Sequence, residues 1–260
     1  MSGASGKTAL VTGASSGIGE ELALGLGARG FDLLLVARSE SRLSDLGSEI
    51  SKSHGVICEV LAADLSESAE VRKVADQIRR AEITTVVNNA GFGSYGRFVD
   101  LPVENEIDEV RLNVEALVAL SHAALEVSVP RHSGGLLNVA STASFQPVPK
   151  NATYSATKAF VLAFTEALHE EVLSSGVHVT ALCPGLTHTG FQARAGMTVG
   201  RAPGFMWSDA SGVAAAGLDA LERNQAVCVV GLANRFGSAA VRFGPRSVVR
   251  KMAGKTLNNM

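Results

Sequence analysis

Cysteine is scarce in this chain of 260 residues: three occur, with no C-x-x-C pair and no even-numbered framework. That excludes a disulfide-stapled fold and suits a reducing cytoplasm. Cys58, Cys183 and Cys228 each lie in an apolar run and are expected as buried free thiols. A basic excess is missing too, since the formal net charge of −2 argues against a nucleic-acid partner. No apolar run approaches the ~20 residues that cross a bilayer, and no apolar signal core opens the sequence. No His, Cys, Asp and Glu cluster has metal-ligand spacing, so no metal is expected. No linker rich in proline, serine or charge divides the chain, which reads as one domain over 1–260.

What is present is apolar and patterned. Hydrophobic residues make up 46% and charged residues 18%, enough for a sizeable core and against disorder. Short apolar runs at 7–12, 31–37, 56–63, 84–89, 135–140, 177–183 and 226–230 read as strands. Between them, 17–29, 39–53, 67–80, 102–127, 154–174 and 208–223 read as helices, with a loop-rich stretch before Trp207. Several strands are continuously apolar, which implies a parallel sheet covered on both faces. The expected fold is a Rossmann-type three-layer α/β/α sandwich with a seven-stranded parallel sheet. Gly231–Met260 carries six basic residues and no acidic one. It reads first as a solvated C-terminal helix and second as a tail touching an anionic surface such as lipid headgroups.

T-G-A-S-S-G-I-G spans Thr12 to Gly19, directly after the first strand and opening the first helix. Glycine permits a sharp turn and close backbone approach. The helix start offers free N–H groups and a positive dipole end to a pyrophosphate. The position inside a βαβ unit makes this a dinucleotide loop over Gly13, Ser15, Ser16, Gly17, Ile18 and Gly19. The second strand ends in V-A-R-S, without the acid that would accept from a ribose 2′-hydroxyl and repel a 2′-phosphate. Arg38 follows instead, a guanidinium suited to that phosphate. NADP(H) is therefore expected over NAD(H).

The pentapeptide Y-S-A-T-K runs from Tyr154 to Lys158. Four residues is just over one helical turn, so phenol and ammonium project from one face. The pair is either surface decoration or a tyrosine held beside a positive charge for proton transfer.

The glycine loop, Asp64–Leu65, N-N-A-G at 88–91, Asn113, Ser141, Y-S-A-T-K and P-G-L-T-H-T at 184–189 occur in this order. With that set the sequence resembles the short-chain dehydrogenase/reductase family, in its short single-domain branch, across roughly residues 6–231. Its nearest look is that of a broad group of bacterial NADP-dependent members. The resemblance implies a tetrad. Tyr154 would be the general acid in carbonyl reduction, and Lys158 would favour its phenolate and bind the nicotinamide ribose. Ser141 would hydrogen-bond the substrate oxygen, ahead of its neighbour Ser144. Asn113 would hold a water linking Lys158 to solvent. Asp64 and Leu65 would hold adenine. Asn89, Ala90 and Gly91 would pass under the ribose and phosphates. Pro184 and Gly185 would close round the nicotinamide, with Thr187 and Thr189 reaching its carboxamide and the pyrophosphate.

The expected reaction interconverts a carbonyl and a secondary alcohol. The family builds its substrate lid at about 189–208. Phe191, Met197, Phe205, Met206 and Trp207 there, with Phe92, Tyr95, Phe145 and Val148, suggest a hydrophobic substrate or else packing against core or a partner subunit. His188 reads as a loop residue. Two other readings are a non-catalytic NADP sensor or scaffold and a nucleotide-sugar epimerase or dehydratase, which leaves little room for its usual extra domain. The resemblance also implies a homodimer or homotetramer.

Overall fold

The computed structural model describes residues 7–197, 204, 207–243 and 250. Within that span the chain opens with β1 (Thr8–Thr12), α1 (Gly17–Ala28), β2 (Asp32–Ala37), α2 (Glu40–His54), β3 (Cys58–Ala62), α3 (Ser68–Arg80) and β4 (Thr85–Asn88). The second half runs α4 (Val103–Val110), α5 (Leu117–Ser128), β5 (Gly134–Val139), α6 (Ala152–Val172) and β6 (Val177–Cys183). Then come β7 (Leu186–Thr187), α7 (Phe191–Arg194), β8 (Trp207–Ser208), α8 (Ala210–Glu222), β9 (Val227–Val229) and α9 (Leu232–Phe243).

Seven strands form one sheet in the order β3-β2-β1-β4-β5-β6-β9. Every pairing is parallel. Alternate residues of each strand serve opposite faces, as the two-residue period of a strand requires. Ala9, Val11, Leu33 and Leu35 face a core shared with Leu22 and Leu26 of α1, Leu43 and Ile50 of α2, and Val213 and Leu218 of α8. Leu10, Leu34 and Val36 face the other core, with Val74 and Ile78 of α3 and Leu120 of α5. This is the expected three-layer sandwich. Both faces are apolar because both are covered.

Three features differ from the sequence reading. The helix expected over 102–127 is interrupted: Arg111–Ala116 winds as a π-helix between α4 and α5. Such a widened turn inserts a residue and re-aims side chains, often at functional sites. The loop before Trp207 carries an extra small ladder, β7 with β8, through Leu186–Trp207 and Thr187–Ser208. Of the three cysteines only Cys183 is fully buried; Cys58 and Cys228 are half-buried.

The chain leaves β1 toward β2 and β3 on one side and returns to β4 on the other. Loops therefore splay apart at the C-terminal ends of β1 and β4, the switch point where open α/β sheets bind ligands.

Candidate active site

A cavity of about 610 Å³ opens along those strand ends. Gly13, Ser15, Ser16, Gly17 and Ile18 line it from the loop after β1, and Arg38 from the end of β2. Asp64 and Leu65 enter after β3, Asn89, Ala90 and Gly91 after β4, and Ser141 after β5. Tyr154 and Lys158 reach in from α6, and Pro184, Gly185, Thr187 and Thr189 from beyond β6. Residues as far apart in sequence as Gly13 and Arg194 thus meet in one space, because the loops and helices that carry them gather at the strand ends of one parallel sheet.

Gly19 and Asn113 lie just behind this lining. Gly13 and Gly17 hold φ of 65° and 62°, the left-handed region that glycine adopts without strain. A Cβ on Gly19 would stand 2.2 Å from the Gly13 carbonyl oxygen and 2.3 Å from Asn89 Nδ2. That close packing lets Asn89 Nδ2 donate to the carbonyls of Thr12 at 3.0 Å and Gly13 at 3.2 Å. Thr12 Oγ1 accepts in turn from the amides of Asn89 and Ala90, both at 3.0 Å. The two loops at the switch point are thereby tied together. Helix α1 starts beside them with Ser16 as N-cap and no side-chain cap bond, so its first amides stay free for an anion. A glycine cradle with free amides, closed on one side by Thr189 packed on Gly17, fits a dinucleotide pyrophosphate.

Ser141 caps a short turn at Thr142–Phe145, its Oγ accepting from Ala143 N at 3.1 Å. Ser144 is otherwise engaged. Its hydroxyl donates to the Lys158 carbonyl at 2.8 Å and its oxygen accepts from Ser141 N at 3.3 Å. The two serines are thus sorted: Ser144 braces α6, and Ser141 faces the cavity that Tyr154 also lines. Tyr154 is walled by Phe191, with ring centroids 5.3 Å apart, and by the backbone of Gly93.

Electrostatics depart from the simple picture of a phenolate stabilised by lysine. Burial pushes the Tyr154 phenol up to about 12, against a smaller opposing effect of Ser141 and with a further push from Glu109. Burial also draws Lys158 down to about 8, with Glu109 opposing. Its Nζ is engaged elsewhere. It donates to the Val139 carbonyl at 2.8 Å and sits 5.8 Å from the tyrosine ring centroid. In this state desolvation outweighs the charge and the phenol keeps its proton.

Asn113, buried in the π-helical turn, donates to the Phe92 carbonyl at 2.9 Å and to Thr157 Oγ1 at 3.1 Å, and accepts from Phe92 N at 3.2 Å. It meets Lys158 across Gly91: a Cβ there would lie 2.8 Å from Asn113 Oδ1 and 3.4 Å from Lys158 Nζ.

Arg38 points outward, 79% exposed, with its guanidinium 3.9 Å from Asp64 and not against an acid of α2. Asp64 is held below the usual carboxylate range by hydrogen bonds from Ser66 and by the charge of Arg38, which together outweigh its partial burial. Sequence reasoning missed Ser39 and Arg42, which line the same end of the cavity. The spacing Arg38-x3-Arg42 across the start of α2 was the available signal. It also missed Leu112, Gln192 and Arg194.

The apolar wall is smaller than expected. Phe92 and Phe191 line the cavity, whereas Tyr95, Phe145, Val148, Met197 and Trp207 do not. Phe145 packs against a core cluster, and Trp207 stacks on His188 at 4.6 Å, which accounts for that histidine. Pro203, Phe205 and Met206 lie outside the described residues, as does most of the basic tail. Among the described residues no three His, Cys, Asp or Glu side chains gather as a metal site, and no helix is long and apolar enough to cross a membrane.

Comparison with known proteins points the same way. The sequence model described as short chain dehydrogenase matches residues 7–199. A very-long-chain 3-oxoacyl-CoA reductase of Laccaria bicolor is 38% identical over 181 residues, 68% of this chain and 54% of that protein. The chain thus matches about half the length of that relative. An uncharacterized oxidoreductase of Staphylococcus epidermidis is 34% identical over 187 residues, covering 70% of this chain and 79% of the relative. Among solved structures, a short-chain dehydrogenase from Sphingobium yanoikuyae in complex with NADPH superposes with a TM-score of 0.83 at 35% identity, covering 90% of this chain and 91% of that one. The bulky-bulky ketone specific alcohol dehydrogenase from Comamonas testosteroni gives 0.79 at 30% identity, covering 90% of each.

Proposed function

The chain belongs to the short-chain dehydrogenase family, and from that premise we propose that it is an NADP(H)-dependent oxidoreductase that reduces a hydrophobic ketone to a secondary alcohol. The observation that carries this reading is the convergence of Ser141, Tyr154 and Lys158 in one cavity with the glycine loop. When bound, NADPH supplies the hydride. The chain's own residues do the rest. The amides at the start of α1 bind the pyrophosphate, and Arg38 and Arg42 bind the 2′-phosphate. Ser141 orients the substrate oxygen. Tyr154, which holds its proton well above neutral pH, gives it to that oxygen. Lys158 lies just over one helical turn from the tyrosine and binds the nicotinamide ribose. Asn113, meeting Lys158 at Gly91, holds the water that returns protons to it.

Phe92 and Phe191 support a hydrophobic substrate, and the Comamonas enzyme at 30% identity is specific for bulky-bulky ketones. The sheet draws on residues from 8 to 229, which supports a single domain over 1–260. Exposed Val103, Ile107 and Phe160 on α4 and α6 support pairing of copies, as a dimer or tetramer. Consumption of NADPH with a panel of aryl and long-chain ketones tests the reading. Turnover is expected, and Tyr154→Phe should abolish it while NADPH still binds. NADPH binding without turnover of any ketone would instead favour a sensor, and turnover limited to small charged keto acids would exclude the hydrophobic substrate.

A further inference from the structure

Between Ser94 and Thr153, the residue before Tyr154, two carboxyl groups are buried together. Glu106 and Glu109 stand three residues apart on α4, hence on one face, and are 5% and 0% exposed. Among the described residues neither is within ion-pair distance of a lysine, arginine or histidine. Both contact one hydroxyl. Ser94 Oγ hydrogen-bonds to Glu106 Oε1 and lies 3.0 Å from Glu109 Oε2. The Ser94 amide also donates to Glu109 Oε2 at 3.0 Å, and Thr153 Oγ1 donates to Glu106 Oε2. Glu109 Oε1 has no partner.

The protons can be counted. Ser94 Oγ carries one hydrogen and touches two carboxylate oxygens. With both glutamates ionised, one of those oxygen–oxygen contacts has no proton between its atoms, and two like charges are buried side by side. One additional proton, carried by Glu106 Oε1 or by Glu109 Oε2, closes both contacts.

We propose that Glu106 and Glu109 share one proton, and that the singly protonated pair acts as a positioning clamp for the catalytic tyrosine. The clamp joins three pieces. Ser94 belongs to the loop whose Gly93 packs on the Tyr154 ring, where an added Cβ would stand 2.8 Å from Cδ2. Phe92 of that loop is held at both its N–H and C=O by Asn113, one turn beyond Glu109. Thr153, held by Glu106, immediately precedes Tyr154, and Asn151 donates to the Ser94 carbonyl. The titratable groups facing Glu109 are Glu106 on its own helix and Tyr154 and Lys158 on α6; the loop contributes the Ser94 hydroxyl and amide. Burial drives Glu109 up to about 7, against Ser94 and Lys158 and with help from Glu106, so loss of the shared proton falls near neutral pH. The two carboxyls titrate as a pair. Loss of the shared proton releases Ser94 and places a second negative charge beside the phenol.

The role as a clamp rests on the proposed ketone reduction; the shared proton does not. Two measurements keep them apart. The first is the infrared difference between wild type and Glu109→Gln at about pH 6, where ordinary carboxyls are ionised. A protonated-carboxyl band present in the wild type and lost in the variant is expected, with or without turnover. Glu106→Gln should lose it too, and serves alone if Glu109→Gln does not fold. The second is the pH profile of kcat/KM for NADPH-dependent ketone reduction. Wild type should fall roughly fourfold from about pH 5.5 to about pH 7.5, the change in protonated fraction of a group titrating at about 7. Glu109→Gln should lose that fall, keeping only the later one from Lys158. Absence of the band in the wild type overturns the shared proton. A band with the same pH profile in both proteins overturns the clamp.

Discussion

The Lys158 ammonium donates to the Val139 carbonyl at 2.8 Å, tying the middle of α6 to the end of β5. The lysine is buried, 4% exposed, with its Nζ 5.8 Å from the Tyr154 ring centroid. Lys158→Ala should lower kcat/KM for ketone reduction by roughly 10²–10⁴-fold, the range for losing a proton-transfer group. NADPH affinity should weaken as well, read by quenching or cofactor fluorescence. Lys158→Arg should not rescue, because the guanidinium fork does not fit a space shaped for one ammonium.

Gly93 has no room for a side chain against Tyr154, since a Cβ would lie 2.8 Å from Cδ2 and 3.1 Å from Cγ. The ring would have to move. Gly93→Ala should lower kcat roughly ten- to hundredfold, as misplacement of a reacting group does. NADPH binding, measured by titration, should stay close to wild type because the glycine loop is elsewhere.

Gly19→Ala should act on the opposite half of the cavity. Its new carbon would meet the Gly13 carbonyl oxygen at 2.2 Å, a backbone atom that cannot swing aside. A loss of about 1–3 kcal/mol in unfolding free energy is expected, with NADPH binding weakened in parallel. Thermal melts with and without NADPH check both.

In the proposed function Arg38 reads the cofactor 2′-phosphate. Arg38→Ala should raise KM for NADPH by roughly 10–100-fold, the loss of a charge-assisted contact to phosphate. KM for NADH should hardly change. Adding Arg42→Ala should deepen the NADPH defect, because both side chains line that end of the cavity. Equal losses for the two cofactors would remove the assignment to the 2′-phosphate.

Stability of the cofactor-free protein should bend twice with pH. Burial raises Glu109 from 4.5 to about 7, so the folded state holds this proton longer than the unfolded state. Its contribution is fully present below pH 4.5 and is lost as pH rises to about 7. Burial lowers Lys158 from 10.5 to about 8, so here the unfolded state binds more protons and stability recovers above about pH 8, until the raised Cys183 thiol and Tyr154 phenol oppose it above about pH 9 to 10. Each limb is on the order of 3 kcal/mol. Denaturant melts of Glu109→Gln should flatten the first limb, and those of Lys158→Met the second.

Much of this protein was legible before folding. The βα alternation, the glycine loop and the acid missing after β2 are local patterns, set by strand and helix periods and by glycine's freedom to turn. They predict a seven-stranded parallel sheet, and β6 at Val177–Cys183 lies where the apolar run ended. The spacing of Tyr154 and Lys158 likewise places both on one face of α6. The rest depended on neighbours distant in sequence. No pattern in 102–127 marks the π-helical turn at Asn113, because that turn is held by contacts to Phe92 and Thr157. Its place at the end of an apolar run already favours Ser141 over Ser144 in the sequence; the structure adds what occupies Ser144, a hydrogen bond to the Lys158 carbonyl. Nor do Glu106 and Glu109 look unusual on an acidic helix until Ser94 and Thr153 close over them. Periodicity is a property of the chain, whereas burial, proton affinity and the aim of a side chain are set by what packs against it in three dimensions.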